Sequence, residues 1–94
     1  MVKFVRTAQA GSLESCDILV TITKGKEQSG VKINLESSAK KQFGDRIIAE
    51  IMEVVKKFGV TDIVISAVDK GALTYCIQAR TEAAIKRAFG VDEK

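Results

Sequence analysis

The chain has no histidine, no tryptophan and no proline, and among its 94 residues only two cysteines and one tyrosine. Without histidine the commonest general base, the histidine-dependent triads and the usual histidine zinc sites are all excluded, so a self-sufficient hydrolase is not expected. No apolar run approaches the ~18 residues that a membrane-spanning helix needs, and the opening MVKFVRTAQAG lacks the apolar block of a signal peptide. The expectation is a cytoplasmic protein with no membrane partner. Cys16 and Cys76 cannot build a disulfide framework, and neither stands in a CxxC or Cys/His cluster, so both read as reduced thiols and no metal site is expected.

What is present is enough apolar material for one small domain over residues 1–94: 46% of the residues are hydrophobic, sufficient for a shallow core without staples. The net charge of +3 comes from 15 basic and 12 acidic residues that are interspersed, as on a solvated surface. Phe4, Phe43, Phe58, Tyr75 and Phe89 are scattered at positions that suit a core and are not interleaved with Lys and Arg as a base-stacking platform would be. Nucleic acid is therefore not the expected partner.

Hydrophobic spacing divides the chain. After a short extended segment opened by Phe4, Ile18, Val20 and Ile22 alternate with Leu19, Thr21 and Thr23, and Val31, Ile33 and Leu35 resume the period of two beyond the connection Lys24 to Gly30. A hairpin with a long basic loop is the simplest account. From Ser37 to Gly59 the apolar residues Phe43, Ile47, Ile48, Ile51, Val54, Val55 and Phe58 recur at helical steps, with Ser37 or Ser38 as cap and Gly59 as a left-handed terminator. Gly44 inside that helix marks close packing, a break or a tolerated defect. Asp62 to Val68 reads as a strand, Asp69-Lys70-Gly71 as a turn, and Leu73, Tyr75, Ile77 and Ala79 as the return strand of a second hairpin. Thr81 would cap a last short helix closed by Gly90, leaving residues 91–94 as a frayed tail. The expected architecture is a two-layer α+β domain with a mainly antiparallel sheet, one long and one short helix, in the order β-β-β-α-β-β-α. Polar alternates such as Thr21, Thr23, Lys32 and Asn34 would cover the sheet face away from the long helix.

The segment Gly11-Ser12-Leu13-Glu14-Ser15-Cys16-Asp17 is small and polar and leads into a good strand. An exposed serine in such a loop can serve as an attachment point for a group, or the loop can be turn chemistry alone. Cys16 is not a promising nucleophile, since Glu14 and Asp17 beside it oppose thiolate formation and no histidine can activate it.

The same segment resembles the Gly-Thr/Ser-Leu-Glu-Ser-x-Asp signature of the citrate lyase acyl carrier (gamma subunit) family. Ser37-Ser38 with Lys41-Gln42-Phe43-Gly44-Asp45 resembles that family's helix start, and Asp69-Lys70-Gly71-Ala72-Leu73 with Cys76-Ile77 and Ala79-Arg80 resembles its second hairpin. The resemblance implies a non-catalytic carrier with no metal and no catalytic residue. Ser15 would hold a 2'-(5''-phosphoribosyl)-3'-dephospho-CoA arm through a phosphodiester, whereas Ser12 fills the Thr/Ser position and Cys16 the variable one. It further implies acetyl and citryl thioesters on that arm, acyl exchange by an alpha subunit, and cleavage to oxaloacetate by a beta subunit. A prosthetic-group transferase would recognise Gly11, Leu13, Glu14 and Asp17, with local turn contacts as the alternative role of Glu14 and Asp17. The carrier of malonate decarboxylase is the nearest rival, and the Lys-Gln-Phe-Gly and Asp-Lys-Gly-Ala-Leu blocks favour citrate lyase. A nucleic-acid-binding module and an unmodified structural subunit are more distant rivals. For a carrier, Ser15 should be exposed at the edge of the domain, in a mobile loop without a pocket of its own.

Overall fold

A computed structural model of the chain describes residues 3–91. Four strands, β1 (Ala8–Gly11), β2 (Ile18–Lys24), β3 (Val31–Ser37) and β4 (Ile63–Asp69), form one sheet, and two helices, α1 (Lys40–Phe58) and α2 (Thr74–Ala88), complete a two-layer α+β domain. The strand order is β1-β2-β4-β3, with β2 antiparallel to β1 and β4, and β3 parallel to β4.

The alternating β-branched residues fix which side of the sheet is covered. Ile18, Val20 and Ile22 of β2, Ile63, Ile65 and Ala67 of β4, and Leu35 of β3 are buried, and so are Ile47, Ile51, Val54 and Val55 of α1. Ile77, Ala84, Ile85 and Ala88 of α2 belong to the same core, with Ala10, Val60 and Phe89. Each fully buried isoleucine contributes about 1.5–3 kcal/mol by leaving water. On the other side Lys32 and Asn34 are exposed and Thr21 and Thr23 half-buried, the polar face that alternation predicts. Gly59, at φ 65°, ends α1 as a left-handed cap whose N–H donates to the carbonyls of Val55 and Lys56.

Several expected details are corrected. Residues 73–79 do not return as a strand: they open α2, a helix of 15 residues and not a short one, and the order is β-β-β-α-β-α. Their alternation is overruled by burial on a longer scale, because Ile77, Thr81, Ala84, Ile85 and Ala88 lie on one helical face against the sheet. Thr81 is therefore no cap; it is buried in mid-helix, its hydroxyl donating to the Ile77 carbonyl at 2.7 Å. Tyr75, expected in the core, is exposed, as is Phe43. Strands β2 and β3 are not a hairpin, since β4 enters between them and pairs with both. The sheet is thus mixed, its one parallel pair joined through α1. Ser37 and Ser38 do not cap α1, whose N-cap position is Ala39 without a side-chain bond. Gly44 leaves the helix unbroken and is buried below Leu35, and a Cβ there would meet the Lys40 side chain at 3.2 Å. Of the expected tail, residues 92–94 lie outside the described residues, and Val91 donates its N–H to the Lys86 carbonyl at 2.8 Å.

Candidate functional site

The sheet register brings Gly11, Ile18, Ser37 and Asp69 to one end of the domain: Gly11 pairs with Leu19, Ile18 with Asp69, and Ser37 with Asp69. The loop of residues 12–17, the connections 38–39 and 70–73, and the first turns of both helices therefore share that end.

Asp17 organises the loop. Its Oδ2 accepts from the Ser12 hydroxyl at 2.7 Å and its Oδ1 from its neighbour Ile18 N–H at 2.8 Å. Arg80 of α2 grips both oxygens, through Nε at 3.1 Å and Nη2 at 2.9 Å. The bidentate guanidinium first, then the Ser12 hydroxyl and the Ile18 N–H, hold the Asp17 carboxyl down to a pKa of about 2. Two backbone bonds seat the loop on the connection after β4: Cys16 N–H donates to the Lys70 carbonyl at 2.8 Å, and Lys70 N–H to the Asp17 carbonyl at 2.9 Å. That connection is itself fixed by buried Asp69, which accepts from Ser37 Oγ at 2.9 Å and Ala72 N–H at 3.0 Å.

Gly11 supplies the entry. At φ 102° its backbone lies so close to β2 that a Cβ would stand 1.8 Å from the Ile18 carbonyl oxygen, and no other residue fits. Glu14 to Asp17 then form a tight turn, with Asp17 N–H donating to the Glu14 carbonyl at 3.2 Å and Cys16 at φ 65° in its third position. Ser15 takes the second position, exposed at the crown, and its hydroxyl forms no hydrogen bond with the described residues.

The five residues singled out in sequence are thus together, in different circumstances. Gly11 and Asp17 are building elements of the loop, whereas Leu13, Glu14 and Ser15 are exposed on it. Expected exposure of Ser15 agrees with the structure. The loop expected to be mobile is braced in the structure, where Arg80 and Lys70 tie it to the second half of the chain. Arg80 lies 63 residues from Asp17, so local spacing could not disclose the pair; its presence in a block resembling the family was the available signal. Neither cysteine is in a disulfide, and among the described residues no three His, Cys, Asp or Glu side chains form a metal-ligand group. No helix among them is long and apolar enough to cross a membrane.

Comparisons with known proteins give the chain a family. A family model described as "ACP: Malonate decarboxylase delta subunit (MdcD)" matches residues 5–88. The chain is 52% identical over 89 residues to the citrate lyase acyl carrier protein of Streptococcus uberis, covering 95% of this chain and 86% of that one. It is 50% identical to that of Lactobacillus acidophilus, covering 94% and 89%, and 44% identical to that of Oenococcus oeni, covering 95% and 90%. Among solved structures, a Staphylococcus aureus RNase P protein shares the fold at a TM-score of 0.54 and 17% identity, covering 86% of this chain and 84% of that one.

Proposed function

Because the chain belongs to the family of citrate lyase acyl carrier proteins, and is a carrier subunit and not a catalyst, we propose that Ser15 is where its prosthetic group is attached. The observation that carries this reading is the contrast within one loop: the Ser12 hydroxyl is committed to Asp17, whereas that of Ser15 is exposed and has no partner among the described residues, at the crown of a braced turn. A hydroxyl that must enter another enzyme's active site and form a phosphodiester has to be accessible and free of intramolecular acceptors.

The group we propose is the 2'-(5''-phosphoribosyl)-3'-dephospho-CoA arm, whose thiol end supplies thioester chemistry when bound. The chain's own residues hold and present the attachment oxygen: Gly11 permits the close entry, Asp17 and Arg80 fix the base of the loop, and Lys70 supports its crown from below. Among the described residues no acid or base is hydrogen-bonded to the Ser15 hydroxyl, and bond-making is assigned in this reading to partners. These are proposed to be the citrate lyase alpha and beta subunits and the transferase that attaches the arm, in the cytoplasm, where Cys16 and Cys76 remain thiols. The relatives at about half identity favour citrate lyase over the malonate decarboxylase carrier named in the family description.

Intact mass tests the assignment. With transferase and arm precursor supplied, wild type and Ser12→Ala should gain the arm's mass and Ser15→Ala should not. A Ser15→Ala chain that still gains it would overturn the assignment.

A further inference from the structure

Large apolar side chains left in water are unevenly distributed. Among the described residues five are strongly exposed, and four of them, Leu13, Phe43, Leu73 and Tyr75, belong to segments at the Ser15 end. Leu13 is in the Ser15 loop itself, and Leu73 and Tyr75 follow directly on the connection that bonds to Cys16 and Asp17. Phe43 borders a hollow of about 200 Å³ that Gly71 and Ala72 of the same connection close from the other side. That is smaller than the roughly 300–1,000 Å³ of small-molecule sites and suits one or two inserted side chains. The fifth, Val5, is at the other end, where its N–H donates to the carbonyl of Ala88 at the end of α2.

The elements that carry these side chains are held in fixed relation. Arg46 of α1 donates to the Thr74 hydroxyl at 3.1 Å, and that hydroxyl donates to Glu50 of α1, so the start of α2 is clasped to the helix bearing Phe43. Tyr75 is 69% exposed and Leu73 54%, although a half-turn away α2 has ample apolar neighbours for its buried face. An apolar cluster kept in water and braced by polar contacts is the anatomy of an interaction surface.

Charge identifies the kind of partner. Exposed Lys40, Lys41 and Lys70 stand on the same segments as these side chains, against exposed Glu14 and Asp45, and neither helix has an acidic residue in its first turn. The rim is positive, and its complement is acidic. One partner class has to meet this end directly. Enzymes that act on the far end of a long arm can be reached from a distance, whereas the enzyme that builds the phosphodiester must take the Ser15 hydroxyl into its own active site.

We propose that Leu13, Leu73, Tyr75 and the hollow beside Phe43 form the docking surface for the arm-attaching transferase, which meets them with an apolar side chain or two inside an acidic rim. The proposal rests on the Ser15 reading and adds residues of α1 and α2 to it. The test uses the full chain, purified transferase and arm precursor, with attachment rates from intact mass. Tyr75→Ala and Leu73→Ser should each lower kcat/KM for attachment at least tenfold, mainly through KM, with unfolding midpoints close to wild type. Lys70→Glu should lower it and weaken its response to salt, and Val5→Ala should leave it unchanged. In a second arm, Ser15→Ala should inhibit attachment to wild type competitively, and Ser15→Ala/Tyr75→Ala should not. Wild-type kcat/KM in the Tyr75 and Leu73 variants, or equal inhibition by both competitors, would sink the docking surface even with Ser15 confirmed. Mass gain by Ser15→Ala would sink the serine assignment and leave the surface to be judged by the rates of the other variants.

Discussion

Two connections of equal length use their serines in opposite ways. Residues 25–30 join β2 to β3 and residues 12–17 join β1 to β2, six residues each. In the first, the Ser29 hydroxyl donates to the Lys26 carbonyl within the same turn, and support from outside comes from Asp62, which accepts from Gly25 and Gly30. In the second, Ser12, Asp17, Arg80 and Lys70 make the bonds, and the Ser15 side chain makes none with the described residues. A serine in a polar loop ordinarily satisfies itself on nearby backbone. Keeping one hydroxyl unsatisfied and still well placed requires other residues to brace the turn around it.

The strongest way to break the comparison is steric. Gly11→Ala should destabilise the domain by at least ~3 kcal/mol, because the added carbon collides with β2 backbone at a positive φ. Gly30→Ala, at φ 73° with open space around it, should cost only about 1 kcal/mol. Urea unfolding midpoints compare the two, and similar losses would show that the 12–17 loop tolerates a shifted entry.

Next in size is the ionic brace. Asp17→Asn should cost about 1–2 kcal/mol near neutral pH through its charge-assisted bonds to partly exposed Arg80. The folded Asp17 carboxyl has a pKa of about 2 against an ordinary 3.8, so its contribution is complete above the ordinary value and is lost as pH falls through the folded one. The stability gap between wild type and Asp17→Asn should therefore close between about pH 4 and pH 2; a gap unchanged across that window would remove the brace from the argument.

Smaller still are the serines themselves. Ser29→Ala should lose about 0.5–1 kcal/mol with its turn bond, whereas Ser15→Ala should stay within ~0.5 kcal/mol while losing all arm attachment. The least effect is expected at Cys16, whose φ of 65° suits glycine: Cys16→Gly should stabilise the loop by ~0.5 kcal/mol, the relief of left-handed strain outweighing the added chain freedom. A destabilised Cys16→Gly chain would mean that the thiol packs to advantage.

These contrasts mark what the sequence discloses. β2, β3, β4 and α1 are legible because their apolar spacing is local, and Gly59 ends α1 where its position suggests. Ser15 is legible as exposed because its neighbours are small and polar. The start of α2 misleads, since four alternating residues from Leu73 to Ala79 imitate a strand until Ala84, Ile85 and Ala88 are read with Ile77 as one face. Strand order and the Asp17–Arg80 pair stay hidden for another reason: they are choices among distant partners, settled only when the helices cover the sheet.

The placement of β4 also sets an order of events. The last strand in sequence occupies an interior slot, so the first two-fifths of the chain cannot close a sheet by itself, and β2 and β3 acquire their common neighbour only after α1 has spanned the gap. The crown that presents Ser15 leans on Lys70 and Arg80, which come later still. If Ser15 is modified as proposed, readiness for modification is thereby tied to completed folding: an unfinished or C-terminally clipped chain has the serine but not its scaffold. Pulsed hydrogen exchange during refolding would display this timing as protection of the Cys16 amide appearing together with that of β4, and no earlier.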